Sequence, residues 1–233
     1  MSDVSGMELR PKLPSAKGVA NGRNVARMLF RSAYRMSVLG AANVPKHGRL
    51  LLAANHTGLV DGPLLLGATP RPVHIFAKSE LFTPPLDRLL TSVGQIELDY
   101  ESADRRAMSL ALDLLSEERA VGIFPEAHRN RGDVARIRHG VAYLYTRSRA
   151  PIVPVALLGT RSTGMSKEAL PPLRAPLIAV FGEPFSPPVQ GDIDQRSTLA
   201  AVGELIRQRL ADHVAAAVAS TGMALPTDNV RTT

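Results

Sequence analysis

Short apolar runs alternate along this chain with longer stretches of helical periodicity, and that alternation predicts an α/β fold. Leu50 to Ala54 form an apolar run without strict alternation, closed by Asn55, His56, Thr57 and Gly58, which is the pattern of a buried strand entering a polar turn. Gly62 and Pro63 then precede Leu64, Leu65 and Leu66, so a helix begins close to the strand end. Further strands are expected at 72–77, 95–98, 121–124, 152–158 and 177–181. Helical material falls at 79–93, broken at Thr83 to Pro85, and at 102–119 and 139–149. Met108, Ala111, Leu112 and Leu115 make the inner stripe of the second of these. A loop spans 161–176, and a closing helix from about Arg196 to Ser220 turns Leu199, Val202, Ile206, Leu210 and Val214 to the core. The order implies a single domain over 40–220 with a mixed, mostly parallel sheet flanked by helices.

Ahead of that domain, 23–39 reads as one basic amphipathic helix. Arg23, Arg27, Arg31 and Arg35 recur on one arc, while Val25, Met28, Leu29, Ala33, Met36 and Leu39 occupy the other. Such a helix either docks its apolar face on the domain or lies in a bilayer interface with its arginines at lipid phosphates. Residues 1–22 and 221–233 read as a flexible lead-in and a flexible tail.

At 233 residues one sizeable core suffices. The net charge of +7 favours an anionic partner: a phosphate ligand, an acidic membrane surface or nucleic acid. Aromatics make up only 4% with no Trp, so stacking platforms are scarce and nucleic acid drops out. The absence of Cys excludes disulfides, thiolate metal sites and a cysteine nucleophile. No secretory signal is recognised, and no run approaches the ~18 apolar residues of a membrane span. The expectation is therefore a cytoplasmic protein attached peripherally to the inner face of a membrane.

His56 and Asp61 sit on adjacent bends, five residues apart. An imidazole there can take a proton from a hydroxyl while a carboxylate on its other nitrogen fixes the tautomer. Taken alone, the same pair reads first as a structural turn histidine and a helix cap. Arg129, Arg131, Arg136, Arg138, Arg147 and Arg149 face the single acid Asp133, a run that reads as a solvated surface. Arg129 is the exception, because it follows a strand end where a guanidinium can grip phosphate with two parallel bonds. Lys78 likewise ends a strand and is either a phosphate contact or a snorkelling surface lysine. The six histidines show no paired spacing, so no metal is expected, and neither a nucleophile elbow nor a phosphate-cradling loop is present. Asn55, His56 and Thr57 spell a glycosylation sequon, read as coincidental.

Four blocks in order resemble the glycerophospholipid acyltransferase family. Asn55, His56 and Asp61 match its NHxxxxD signature, and FAKSELF with Lys78, Glu80 and Leu81, followed by Gly94, is similar to its second block. Phe124, Pro125, Glu126 and Arg129 resemble the third, and Pro151 with Pro154 the fourth. Ala127 and His128 stand where the family usually has glycine and threonine.

The resemblance implies an acyltransferase that moves a fatty acyl chain from acyl-CoA or acyl carrier protein to lysophosphatidate, with no further cofactor. Glycerol 3-phosphate, another lysophospholipid or a glycolipid is the alternative acceptor, and a catalytically silent membrane-surface binding protein is the alternative class. In the implied mechanism His56 is the general base, Asp61 orients it, and amides around Thr57 and Gly58 are candidates to stabilise the oxyanion. Lys78, Glu126 and Arg129 bind substrate, with Glu126 contacting the glycerol backbone or orienting Arg129. The family often ends its second block with an arginine; here Tyr100 follows Asp99, so Arg105 and Arg106 are the candidates to supply that charge.

Overall fold

A computed structural model describes residues 13–99 and 104–228. Helix α1 (Ala16–Ala33) leads into strand β1 (Arg35–Leu39), and then β2 (Leu50–Ala54), α2 (Asp61–Ala68), β3 (Val73–Lys78), α3 (Leu86–Ser92), β4 (Ile96–Leu98), α4 (Arg105–Ser116), β5 (Ala120–Ile123), α5 (Gly140–Ser148), β6 (Ile152–Leu158), β7 (Pro176–Phe181) and α6 (Arg196–Thr221) follow. The strands form one seven-stranded sheet in the order β1-β7-β6-β2-β5-β3-β4. All pairings are parallel except β6 with β7. The expected mixed, mostly parallel sheet is therefore present.

β2 sits at the centre, between β5 and β6, and every one of its residues is buried. Its side chains divide between two cores: Leu51 and Ala53 pack with α4, α5 and α6, while Leu50, Leu52 and Ala54 pack with α1 and α2. Burial on both faces is why this strand reads as a continuous apolar run rather than an alternating one. α6 buries Val202, Ile206, Leu210 and Val214 at helical spacing, as its pattern predicts.

The segment 23–39 is not one helix. The helix starts earlier, at Ala16, capped by the Ser15 hydroxyl, and ends at Ala33, where Tyr34 turns extended. Arg35 to Leu39 then pair in parallel with β7 at the sheet edge. Gly18 and Gly22, which punctuate the sequence like breakers, are required for packing: a Cβ at Gly18 would stand 2.1 Å from the Ser92 carbonyl oxygen, and one at Gly22 would stand 2.6 Å from the Val93 Cβ. The lead-in expected over 1–22 is thus helical from residue 16 onward.

α1 docks through Val19, Gly22 and Phe30, with Ala26 and Ala33 beside the core, and only part of the expected apolar arc faces the domain. Arg27 faces the domain, donating to the carbonyls of Gly67, Ala68 and Thr69 at the end of α2, and Arg23 donates to Pro70 O. A guanidinium there satisfies carbonyls that the last helical turn leaves without partners. Val25, Met28 and Leu29 point outward instead, each more than half exposed. Beyond α6, residues 222–228 pack back on the domain with Pro226 buried, contrary to the flexible tail expected there.

Candidate active site

The site is built at the carboxyl ends of the parallel strands β2, β3 and β5, where open α/β sheets leave a crevice. As β2 ends, the Asn55 side chain takes over its pairing: Nδ2 donates to Leu157 O at 3.2 Å and Oδ1 accepts the Leu157 N–H at 2.7 Å. This amide pins the start of the turn to β6. Asn55 is fully buried, so its sequon is closed to glycosylation in the folded chain. The Thr57 hydroxyl meets that of Thr160 at 2.7 Å, which fixes the next residue but one to the same neighbouring segment.

Between these anchors lies His56. Its Nδ1 is 2.8 Å from Asp61 Oδ2, and its ring stacks on Phe124 with centroids 4.3 Å apart. Asp61 is fully buried, and the same oxygen accepts the N–H groups of Thr57 at 2.6 Å and Gly58 at 2.8 Å. With two backbone amides already donating to that oxygen, the His56 Nδ1–H is its third donor, which leaves Nε2 for chemistry. Those two amides are consequently turned toward Asp61, which corrects their expected role at an oxyanion: they brace the carboxylate.

Glu126 belongs to the same support. It is buried, and Oε2 accepts the backbone N–H of His56 at 2.8 Å. Burial pushes its carboxyl up to about 8, the His56 N–H pulls the other way, and the nearby Asp133 and Asp61 charges add to the rise. Its side chain is directed to the His56 amide and is not among those lining the cavity described below, while Arg129 reaches Lys167 O and Glu168. Ala127, where the family usually has glycine, adopts the left-handed conformation with φ 63°, which glycine takes without strain. The loop therefore keeps the glycine-type backbone.

His56 opens onto a cavity of about 1330 Å³ that α1, α2, α3 and the ends of β3 and β5 enclose. Its walls are mainly apolar, with Leu59, Val60, Leu66, Ile75, Phe76 and Leu90 among them, and its rim carries the exposed Val25, Leu29, Leu89 and Leu170. Three cationic residues line it: Lys78, Arg129 and Lys167. Lys78 pairs with Glu80 at 3.3 Å, and Arg129 donates to Lys167 O at 3.0 Å and to Glu168 at 3.2 Å. Arg105 and Arg106 stand exposed on the first turn of α4 and do not line the cavity, while Tyr100 lies outside the described residues. Within the basic run, Arg131 pairs with Asp133 and Arg147 pairs with Asp194 and stacks over Tyr143. The clamp of Asn55 on Leu157 and the part played by Thr160 escaped the sequence reading because these partners lie more than 100 residues apart.

Comparison with known proteins adds an independent line. A 1-acyl-sn-glycerol-3-phosphate acyltransferase of Borreliella burgdorferi is 28% identical over 138 residues, 58% of this chain and 55% of that protein. One from Cocos nucifera is 29% identical over 177 residues, 71% of this chain and 54% of that protein. The chain spans about half the length of the curated relatives it matches. The crystal structure of the 1-acyl-sn-glycerophosphate (LPA) acyltransferase PlsC from Thermotoga maritima superposes with a TM-score of 0.63 at 20% identity, covering 84% of this chain and 79% of that one, which establishes a shared fold. The family model described as Acyltransferase matches residues 35–158, which includes the His56 and Asp61 turn, the Lys78 strand, the Glu126 and Arg129 loop and β6. The chain belongs to the acyltransferase family.

Proposed function

We propose that this chain transfers a fatty acyl group from a thioester, acyl-CoA or acyl carrier protein, to the free hydroxyl of lysophosphatidate. The observation that carries the reading is the His56–Asp61 pair set in the wall of a large apolar cavity that also holds Arg129. An alkyl chain fits the apolar walls, a phosphate suits Arg129, and the acceptor hydroxyl lies at His56 Nε2. His56 takes the hydroxyl proton as the oxygen attacks the thioester carbonyl, and Asp61 stabilises the imidazolium that forms. The tetrahedral intermediate collapses with cleavage of the carbon–sulfur bond, and the thiolate leaves with the proton that His56 returns. No acyl-enzyme is required.

Among the described residues no helix is long and apolar enough to cross a membrane. The exposed Val25, Leu29, Leu89 and Leu170 at the cavity rim, together with Met28 on α1 and exposed Arg31, support a peripheral seat on an anionic bilayer, from which the acceptor enters directly. Transfer of radiolabelled acyl groups by the purified chain, from acyl-CoA and from acyl carrier protein, to a panel of lysophosphatidate, glycerol 3-phosphate, other lysophospholipids and a glycolipid tests the reading. Lysophosphatidate is expected to give the highest kcat/KM, and a preference for an acceptor without phosphate overturns it.

A further inference from the structure

Arg161 takes no part in the chemistry above, yet it is the largest fully buried side chain in the molecule's described portion. A buried guanidinium is costly unless its donors are matched, and in Arg161 the two terminal nitrogens are matched while Nε is buried without a partner among the described residues. Here Nη1 donates to Met165 O at 3.2 Å and to Asp228 Oδ1 at 3.0 Å, and Nη2 donates to Asn130 O at 3.3 Å and to Asp228 O at 2.9 Å. The three partners come from three different segments, and two of these carry or hold Arg129. Asn130 is its chain neighbour, and its N–H donates to His56 O at 2.9 Å. Met165 lies in the loop whose Lys167 carbonyl and Glu168 carboxylate receive the Arg129 guanidinium.

The third segment is the strap that follows α6. Asp228 Oδ2 accepts the Gly164 N–H at 3.1 Å, and the Thr227 N–H donates to Thr163 Oγ1 at 3.1 Å. A Cβ at Gly132 would lie 2.4 Å from the Thr57 side chain, 2.8 Å from Asn55 Nδ2 and 3.6 Å from Leu225 Cδ2. The strap, the Arg129 loop and the His56 turn are thus in serial contact.

We infer that Arg161, anchored by Asp228, is a positioning residue that sets Arg129 relative to His56, so that the strap over 222–228 governs how the phosphate of the acceptor is held. This rests on the acyl-transfer reading for its kinetic consequence but not for its structural one. If Arg161 served only to hold the fold together, its loss would lower thermal stability and leave acceptor recognition alone.

The test uses the full chain with Asp228→Ala and Asp228→Asn, and with Arg161→Lys, which keeps the charge but loses the planar fork that spans several acceptors. Hydrogen exchange without substrate comes first. Beyond the Gly164 amide, which loses Asp228 directly, faster exchange at residues 128–134, the Asn130 amide included, with β2, β5 and β6 amides unchanged, is expected, and unchanged exchange at 128–134 or uniformly faster exchange overturns the inference. In acyl transfer, KM for lysophosphatidate should rise by roughly tenfold, inside the ~100-fold cost of a 1 Å misplacement, while KM for the acyl donor holds. Adding Asp228→Ala to Arg129→Ala should then raise KM no further. Equal effects on both substrates, or an additive double variant, overturn the inference. A wild-type chain inactive toward every acceptor defeats the functional reading alone, and the exchange experiment still decides the coupling.

Discussion

Glu126 lies behind the backbone of His56, with Oε2 accepting its N–H at 2.8 Å, so an acid expected at the substrate supports the base from within the protein. Its carboxyl is pushed up to about 8 by burial, against an ordinary value of 4.5. Between those values the unfolded chain has released a proton that the folded chain retains. The contribution of this group to stability is therefore complete below pH 4.5 and is lost as pH rises toward 8. Glu126→Gln keeps an acceptor for His56 and removes the titration. Its melting temperature, followed from pH 5 to 8, should gain on that of the wild type as pH rises, with activity retained. Glu126→Leu strands a buried N–H at a cost of about 1–3 kcal/mol and should lower kcat as well.

His56→Ala should leave the fold intact and reduce acyl transfer by ~10²- to 10⁴-fold, the usual contribution of a general base. Asp61→Asn should come close to the same loss, because the Nδ1–H tautomer is no longer enforced and the Thr57 and Gly58 amides lose a carboxylate acceptor. Steady-state rates on protein with a native circular dichroism spectrum measure both. Near-normal turnover by His56→Ala would end the general-base mechanism.

Arg129 lines the cavity, and its partner Glu168 is largely exposed and so displaceable. Arg129→Ala should raise KM for a phosphate-bearing acceptor by a charge-assisted bond's worth, roughly 1.5–3 kcal/mol. Arg105→Ala and Arg106→Ala, away from the cavity, serve as comparisons and should change KM less. Kinetics with lysophosphatidate against a phosphate-free monoacylglycerol separate phosphate recognition from general damage.

Met28→Glu with Leu29→Glu places two acids on the outward face of α1 without touching its buried Val19, Gly22 and Phe30. Sedimentation with vesicles containing phosphatidylglycerol should show weaker binding for the double variant, and wild-type binding should fall as salt rises. Equal binding by both proteins would place the membrane contact elsewhere.

Asn55→Ala removes both bonds that join the turn to Leu157 and leaves that residue's buried N–H and C=O unpaired. A loss of about 1–3 kcal/mol per unpaired group is expected in chemical unfolding, together with reduced kcat because His56 follows directly in the chain.

Local pattern alone determined the sheet class, the β6 boundaries at Ile152 and Leu158, the inner face of α6 and the turn that brings His56 to Asp61. Each depends on neighbours within a turn or a strand, where spacing along the chain is also spacing in space. Tertiary structure decided the rest. Arg35 to Leu39 continue a helical spacing and become a strand only because β7, some 140 residues later, offers an edge. Arg27 sits on what reads as a solvent arc and turns inward because α2 ends beside it with unpaired carbonyls. The Thr57 and Gly58 amides, Glu126 and Arg161 are polar groups whose direction follows from partners brought together by folding. A hydrogen bond depends on orientation, and orientation between segments far apart in sequence is set by the packed core rather than by any periodicity in the chain.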